Sequence, residues 1–546
     1  MTPSLSIKNI YIFVLISFAL SQNFIYEPED WLILKNPETI YSITEGPFDV
    51  YFGTENGIFR YSKFDEFVEY DYKLNQGLKI QLPIYYIHYD NYSDQIWIVT
   101  RDGIYYKNPL FNEYQEVVHH TIDSYNLSSI TALGSINKYI IIQYMSSYVV
   151  IDSFSGSVIK DEINIDINNV SWSASSFSYN SSEIDLSTYY ADDWLIGFRE
   201  ITDQYGNNES VIVSFEDRDL NLWFGTNNGK LLKGFKYSNK LDISDIGPIS
   251  NVVTSAIDDE SQNWYIATEG QSYQNRRYFN YNKQSKPFLS IWNEYDDSWK
   301  YLNEGDFSEI SNVTVNSMLN IDEQYLALGT MDGAIVIPFN DHRRYKHITK
   351  RDGLNDNVIL DLEYYNQNMF VMTYRGISVY SITNDIVIEN NILKDYCLQD
   401  SAMLDMLLID GNLSFSSRAG LFRLNRKDMT LDKLSGNIFF RIDFYNGAIL
   451  GLNESLWSID YLNNTEEVVV FRTGGARDFL VSDGYVWFNL IDKVKLVNLD
   501  SKERWTYNHN DGFIDTQIFD LGNDGDWVYF LTNQGIIYYN WRAYHY

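Results

Sequence analysis

Leu222-Trp-Phe-Gly-Thr-Asn-Asn-Gly229 runs an apolar, aromatic strand into a tight turn, and the same phrase returns along the chain. Copies are Val50-Tyr-Phe-Gly-Thr-Glu-Asn-Gly57, Ile96-Trp-Ile-Val-Thr-Arg-Asp-Gly103, Tyr325-Leu-Ala-Leu-Gly-Thr-Met-Asp-Gly333, Met369-Phe-Val-Met-Thr-Tyr-Arg-Gly376 and Trp527-Val-Tyr-Phe-Leu-Thr-Asn-Gln-Gly535. A looser copy, Leu413-Ser-Phe-Ser-Ser-Arg-Ala-Gly420, carries Ser417 in place of the threonine. Recurrence at a fixed period marks a repeat architecture.

The cleanest unit spans 345–381, with Tyr345-Lys-His-Ile-Thr349, Val358-Ile-Leu-Asp-Leu-Glu-Tyr-Tyr365, Met369-Phe-Val-Met-Thr373 and Ile377-Ser-Val-Tyr-Ser381. Four strand-length runs rich in β-branched and aromatic residues alternate with polar turns, and no helix fits between them. Asn56-Gly57, Asp102-Gly103, Asn228-Gly229 and Asp332-Gly333 are hairpin dipeptides that accept positive φ. Four antiparallel strands in about 40–45 residues make a propeller blade. Second strands near 51, 97, 141, 223, 264, 326, 370, 413, 450, 487 and 528 give eleven units, with a poorly formed twelfth within 166–200. One ring closes with about 4–8 blades. The expected fold is therefore all-β, a tandem of β-propellers of four-stranded antiparallel blades. Two six-bladed rings are expected, over 24–290 and 291–546, with insertions near 161–205 and 269–287.

The start of the chain reads as an export signal. Lys8 precedes the apolar run Ile10–Leu20, and Ala19-Leu-Ser21 is a small-x-small cleavage site. The run is shorter than the ~20 residues of a membrane span. Residues 1–21 are expected to be removed, releasing the rest to the periplasm or cell surface of a bacterium, with no later membrane span. Cys397 is the single cysteine, so core burial rather than a disulfide framework must hold the fold. A net charge of −33 argues against nucleic-acid binding, which needs a basic surface. The 45 tyrosines have strand packing as their first use.

The units with Gly-Leu before the first strand and Thr-x-x-Gly after the second resemble the propeller repeats of bacterial two-component regulators. The residues that carry this are Asn75-Gln-Gly-Leu78 with Thr100-Arg-Asp-Gly103, Arg351-Asp-Gly-Leu354 with Thr373-Tyr-Arg-Gly376, and Glu216-Asp-Arg-Asp219 with Leu222-Trp-Phe-Gly-Thr226. The opening unit, Trp31 through Tyr61, also resembles the N-terminal propeller of PorZ-type accessories of type IX secretion. The resemblance implies an extracytoplasmic sensing or scaffolding role. The kinase and membrane parts of the regulators, and the C-terminal sandwich of the accessories, have no counterpart among these residues.

Chemistry is harder to place. Asp217-Arg-Asp219, Asp258-Asp-Glu260 and Asn523-Asp-Gly-Asp526 fall between first and second strands, where such residues form turns, and none has a calcium-loop spacing. His119-His120 would point to opposite faces of a strand. Asp341-His342, Arg343-Arg344, Lys346 and His347 form a basic island read as a solvated hairpin. Nucleophile-elbow, zinc-protease and phosphate-loop motifs are missing, so no catalytic residue, metal or cofactor is assigned. The first expectation is a non-catalytic binding or scaffold protein whose partner is a glycan, a peptide or another envelope protein. A propeller-type lyase or glycosidase, and a secretion accessory, follow. The central residues of the Thr-x-x-Gly hairpins vary between units, as the tips of a rigid scaffold do when they carry a site. Those that turn geometry does not require are Arg101, Tyr374, Arg375 and Arg418, with Trp172 and Trp194 next.

Overall fold

The computed structural model describes residues 30–545 apart from 77–81, 109–112, 118–128, 145–146, 160–164, 179–183, 269–286, 304–306, 308–313, 397, 399–400, 509–512 and 514–515. The signal segment, His119-His120, Cys397 and nearly all of the 269–287 insertion lie outside the described residues.

Among the described residues the strands form eleven antiparallel sheets. Their second strands, from Asp49–Thr54 through Asn221–Thr226 to Trp527–Thr532, fall where the repeated phrase places them. The hydroxyl in that phrase closes its hairpin from inside. Thr54 Oγ1 donates to the Gly57 carbonyl at 2.9 Å and accepts the Asn56 N–H at 3.1 Å. Thr330, Thr373 and Thr532 do the same, and Ser417 substitutes with the same pair of bonds. These hydroxyls are buried, so the bonds they make in the turn replace water they cannot reach. The closing glycine needs its positive φ, +108° at Gly333 and +148° at Gly376.

Seven sheets close into a ring: 253–303, 315–348, 359–389, 403–435, 441–470, 478–507 and 518–540. One apolar cluster fills each space between neighbours. The last sheet returns to the first through Leu531, Ile536 and Tyr538 packed on Val253, Trp264, Ile266 and Trp292. Its outer strand comes from the other end of the chain. Trp31–Leu34 pairs antiparallel with Gly535–Asn540, setting Trp31 opposite Tyr539. The Trp31 ring stacks on Tyr539 at 4.5 Å and meets Phe513 edge-on at 5.6 Å. The Tyr544 hydroxyl donates to the Asp30 carboxylate beside it.

The remaining four sheets build the first propeller, in the spatial order 208–244, 40–70, 84–116, 130–152. Where further blades would stand, the 165–202 segment serves instead. Ser171–Trp172 pairs with the inner strand Ile130–Ile136, and Ala174–Ser175 pairs with the inner strand Ile40–Glu45, so this stretch bridges the centre. Ile184 and Leu186 then bury against Phe224, Leu232 and Leu241. That is the face of the 208–244 sheet opposite to the one carrying Trp223 and Leu231, which pack on the 40–70 sheet. Apolar surface that a missing blade would cover is thereby removed from water.

Among the described residues the tandem is thus four sheets and seven rather than two sixes. The expected division at 290/291 falls inside the strand Pro287–Asn293, within the ring's first sheet. The poorly formed twelfth unit is the bridging segment. A repeat period locates sheets, but ring membership depends on what covers each face, and here residue 31 covers residue 539.

The first propeller is consequently set into the ring between the strand Trp31–Leu34 and the sheet beginning at Val253. The two connections run side by side. Asn36 N–H donates to Asn251 Oδ1 at 2.7 Å, Asn251 Nδ2 donates to the Asn36 carbonyl at 3.0 Å, and Asn36 Nδ2 donates to the Pro248 carbonyl at 2.8 Å. Gly247 lies so close to them that a Cβ would fall 2.2 Å from the Lys35 carbonyl oxygen. Both asparagines are buried, and each satisfies backbone groups the crossing would otherwise strand.

Candidate functional site

A cleft of about 800 Å³ opens where the two propellers meet. From the first propeller it takes the turn at Asp193-Trp194, the hairpin 203–209, and Asn228, Lys230 and Asp245. The ring contributes Trp299 to Asn303 on its first sheet and Asp341, His342 and Arg343 on its second. A concave space with aromatic rings and a few converging polar groups is the ordinary form of a ligand site.

Lys230 organises it. Its ammonium is bonded to Asp245, lies 3.7 Å from Glu209 Oε1, and sits over the rings of Trp194 at 5.2 Å and Tyr301 at 5.3 Å. Glu209 also accepts from Thr226 Oγ1 and Asn228 Nδ2, both at 3.2 Å. Burial works against the Lys230 charge, yet Asp245 and Glu209 raise its pKa above the usual lysine value. Burial raises the Glu209 carboxyl, opposed by Lys230. The Tyr301 hydroxyl donates to the Gly247 carbonyl at 2.9 Å and ties the floor to the chain crossing. Cation–π contacts of desolvated lysine add about 2 kcal/mol, so the two rings are held in place before any ligand arrives. Glu209 and Asp245 are engaged by these partners and act as anchors for Lys230.

Of the residues singled out from sequence, Trp194 lines this cleft. Trp172 packs over Gly134 in the bridging segment, where a Cβ on Gly134 would meet its ring at 2.8 Å. Tyr374 and Arg375 stand exposed on the 359–389 sheet, with Arg375 Nε 3.5 Å from Asp356, and Arg418 stands exposed on the neighbouring 403–435 sheet. Arg101 belongs to the first propeller. The basic island read as a solvated hairpin instead borders the cleft through His342 and Arg343. Lys230 was missed, although it follows the glycine of a quoted repeat at a position where other copies carry Ile58, Ile104, Ala334, Ile377, Leu421 or Ile536.

A second cluster lines the centre of the ring. Asp361, Asp405, Arg441, Asp478 and Asp520 project from five successive inner strands. Arg441 Nε donates to Asp478 Oδ1 at 2.7 Å, Nη1 lies 3.7 Å from Asp405 and Nη2 lies 3.9 Å from Asp520. Each of the four aspartates also accepts from the N–H of the residue after it. Asp405 accepts a further bond from Ile442 N–H at 2.7 Å. Burial, opposed by Arg441, pushes the Asp405 carboxyl up to about 7. Burial and the neighbouring Asp478 push Asp520 up to about 7 as well. Glu363, two residues after Asp361, is pushed up to about 8 by burial and by Asp361. Burial opposes the Arg441 charge, but three carboxylates hold its pKa well above the usual arginine value.

Among the described residues the carboxylates with metal-like spacing are Glu45, Asp217 and Asp219. Lys63 Nζ stands among them, 2.6 Å from Glu45 and 2.7 Å from Asp219. Asp217 is a turn residue, accepting from the Asp219 and Asn221 N–H groups and from Trp223 Nε1.

No family model and no curated protein matches this sequence. Among solved structures, PorZ, a bacterial surface component of the type IX secretion system of Porphyromonas gingivalis, aligns over 94% of this chain and 87% of its own. Its TM-score is 0.55 at 10% identity. The chain is similar in fold to PorZ. The extracellular domain of BT4673 from B. thetaiotaomicron, described as a hybrid two-component system, aligns over 91% of this chain and 69% of its own. Its TM-score is 0.43 at 13% identity. PorZ is of the second kind to which the repeats pointed. What PorZ shares with this chain at that identity is the tandem-propeller fold. Among the described residues no helix is long and apolar enough to cross a membrane.

Proposed function

We propose that this chain is an exported, non-catalytic binding protein of a bacterial cell envelope. Its ligand, a glycan, a peptide or a segment of another envelope protein, seats in the cleft between the propellers. The observation that supports this reading is the preset pair of rings, Trp194 and Tyr301, held about Lys230 in a space large enough for several residues or sugar units. Glycan-array and peptide-array screens of the protein lacking residues 1–21 test it. Trp194→Ala and Arg343→Ala are each expected to weaken the best hit roughly tenfold or more, with circular dichroism unchanged. A hit that survives both but is lost when Arg101, Tyr374, Arg375 and Arg418 are all alanine would move the site to the hairpin tips.

The ring-centre carboxyls favour a second reading, a carbohydrate-active enzyme. Glycoside chemistry uses one carboxyl that keeps its proton near neutral pH beside another that does not. Asp405 and Asp520 have the first property. Release of reducing ends or unsaturated products from a polysaccharide panel, abolished by Asp520→Asn, would support the enzyme; a wild-type protein that releases none would remove it.

A further inference from the structure

The strand edge opposite the Thr-x-x-Gly hairpins is built differently in the two propellers. Among the ring's hairpins between first and second strands, Asp322-Glu323, Asn366-Gln367, Asp410-Gly411, Asn446-Gly447 and Asp483-Gly484 all have positive φ and are small or polar. This is what tight turns demand. The first propeller sets aromatic rings in its turns at the same edge. Phe48 and Tyr92 sit between first and second strands, and Phe64, Phe154 and Tyr237 follow third strands, with Phe235 ending one. Every one of the four sheets contributes. Phe64 and Tyr237 are each 76% exposed.

The rings gather. Phe48 and Phe64 are 5.8 Å apart, Phe235 and Tyr237 are 5.7 Å apart, and Tyr92 reaches Phe154 on the next sheet at 5.6 Å. Lys63 ties the turn beside Phe64 to Asp219 on the adjoining sheet, which shows that these edges face one way. Tyr295, 83% exposed, continues the surface from the ring across a smaller cleft of about 460 Å³ that Asp65 and Phe67 also line. Turn geometry requires none of these rings. Exposed aromatics gathered in pairs along one edge mark an interaction surface, and aromatic side chains anchor such surfaces.

The charge around them selects the occupant. Asp65, Glu66, Asp94, Asp152, Asp219 and Asp296 lie in the same turns. The lysines there are engaged: Lys63 by Glu45 and Asp219, Lys236 by Glu216 at 2.7 Å, and Lys138 over the ring of Tyr139. Arg218 stands 3.7 Å from Glu45. A second copy, itself at −33, would bring acid against acid, and anionic lipid would be repelled likewise. We infer that this face docks a protein partner whose apolar side chains are rimmed by lysine and arginine. The contact is separate from the cleft and does not depend on what the cleft binds.

The test uses the protein lacking residues 1–21 and four probes: an amphipathic leucine–lysine helix peptide, its leucine–glutamate counterpart, phosphatidylcholine vesicles, and the protein itself by sedimentation. The leucine–lysine peptide is expected to bind, weakening with added salt, and to lose roughly tenfold or more in the triple variant Phe64→Ser, Phe154→Ser, Tyr237→Ser. Leu462→Ser, at an exposed turn of the ring, is expected to leave it unchanged. No binding of that peptide, or binding indifferent to the triple variant, overturns the inference. So does equal binding of the glutamate peptide, or a triple variant that loses vesicle binding or self-association instead.

Discussion

Arg441→Met is expected to destabilise the ring by about 2–3 kcal/mol at pH 8 and by measurably less at pH 5, where the bond to Asp478 is still lost. Breaking a buried ion pair from one side costs about 3–5 kcal/mol. The arginine side chain is 44% exposed, so solvent screening reduces that figure. What remains is the cost of leaving Asp405 and Asp478 in a poorly hydrated centre without their cation. The pH dependence follows from the raised carboxyls. Asp405 and Asp520 keep their protons to about pH 7 in the folded ring, but only to about pH 4 in an unfolded chain. The folded state binds more protons between those values, so stability falls as pH rises through that window. Removing the guanidinium raises both carboxyls further and deepens the loss at pH 8, whereas protonation at pH 5 relieves it. Thermal melts of wild type and variant at the two pH values give the result. An equal deficit at both would mean that Arg441 works by packing alone.

Trp31→Ala should be among the most damaging single changes in the chain, costing about 3–5 kcal/mol. The side chain is buried, stacked on Tyr539, and belongs to the strand that completes the last blade. Its loss leaves a cavity against Phe513 and Tyr539 and loosens the cover of Gly535–Asn540, whose bare edge would invite pairing with other chains. Leu32 on the same strand points outward, and Leu32→Ala should cost well under about 1 kcal/mol. Denaturant unfolding followed by tryptophan fluorescence compares them. Similar costs for the two would show that the strand holds the ring through its backbone only.

The sheets were legible because each is encoded locally. Thr54, Thr330 and Thr532 close their hairpins with bonds three residues long, so the phrase that encodes each of them is short and repeats. Ring membership was not legible, since it rests on pairs such as Trp31 with Tyr539 and on Ile184 and Leu186 covering a face with no strand period at all. The cleft draws on stretches near 194, 209, 230, 245 and 301, where Trp194 with Glu209 and Lys230 with Asp245 stand close in sequence but the two pairs and Tyr301 share no local pattern. Local signals nonetheless existed. Lys230 stands where its sister repeats have an apolar residue. Asp361 interrupts the apolar run Val358-Ile-Leu-Asp-Leu362, as Asp405 interrupts Met403–Ile409. In the middle of these innermost strands the two charges face the ring centre.

The strand Trp31–Leu34 also sets a timetable. Chains are synthesised from the N-terminus, so this strand is made first while its partner, Gly535–Asn540, is made some five hundred residues later. Until then that strand has no blade to join, and the six sheets already made have no seventh to close on. An interrupted chain therefore holds a first propeller attached to an open arc with unpaired edges, a form that proteases and chaperones recognise. Only a chain carried through the 518–540 sheet can hide those edges, so ring closure reports that synthesis has passed that blade.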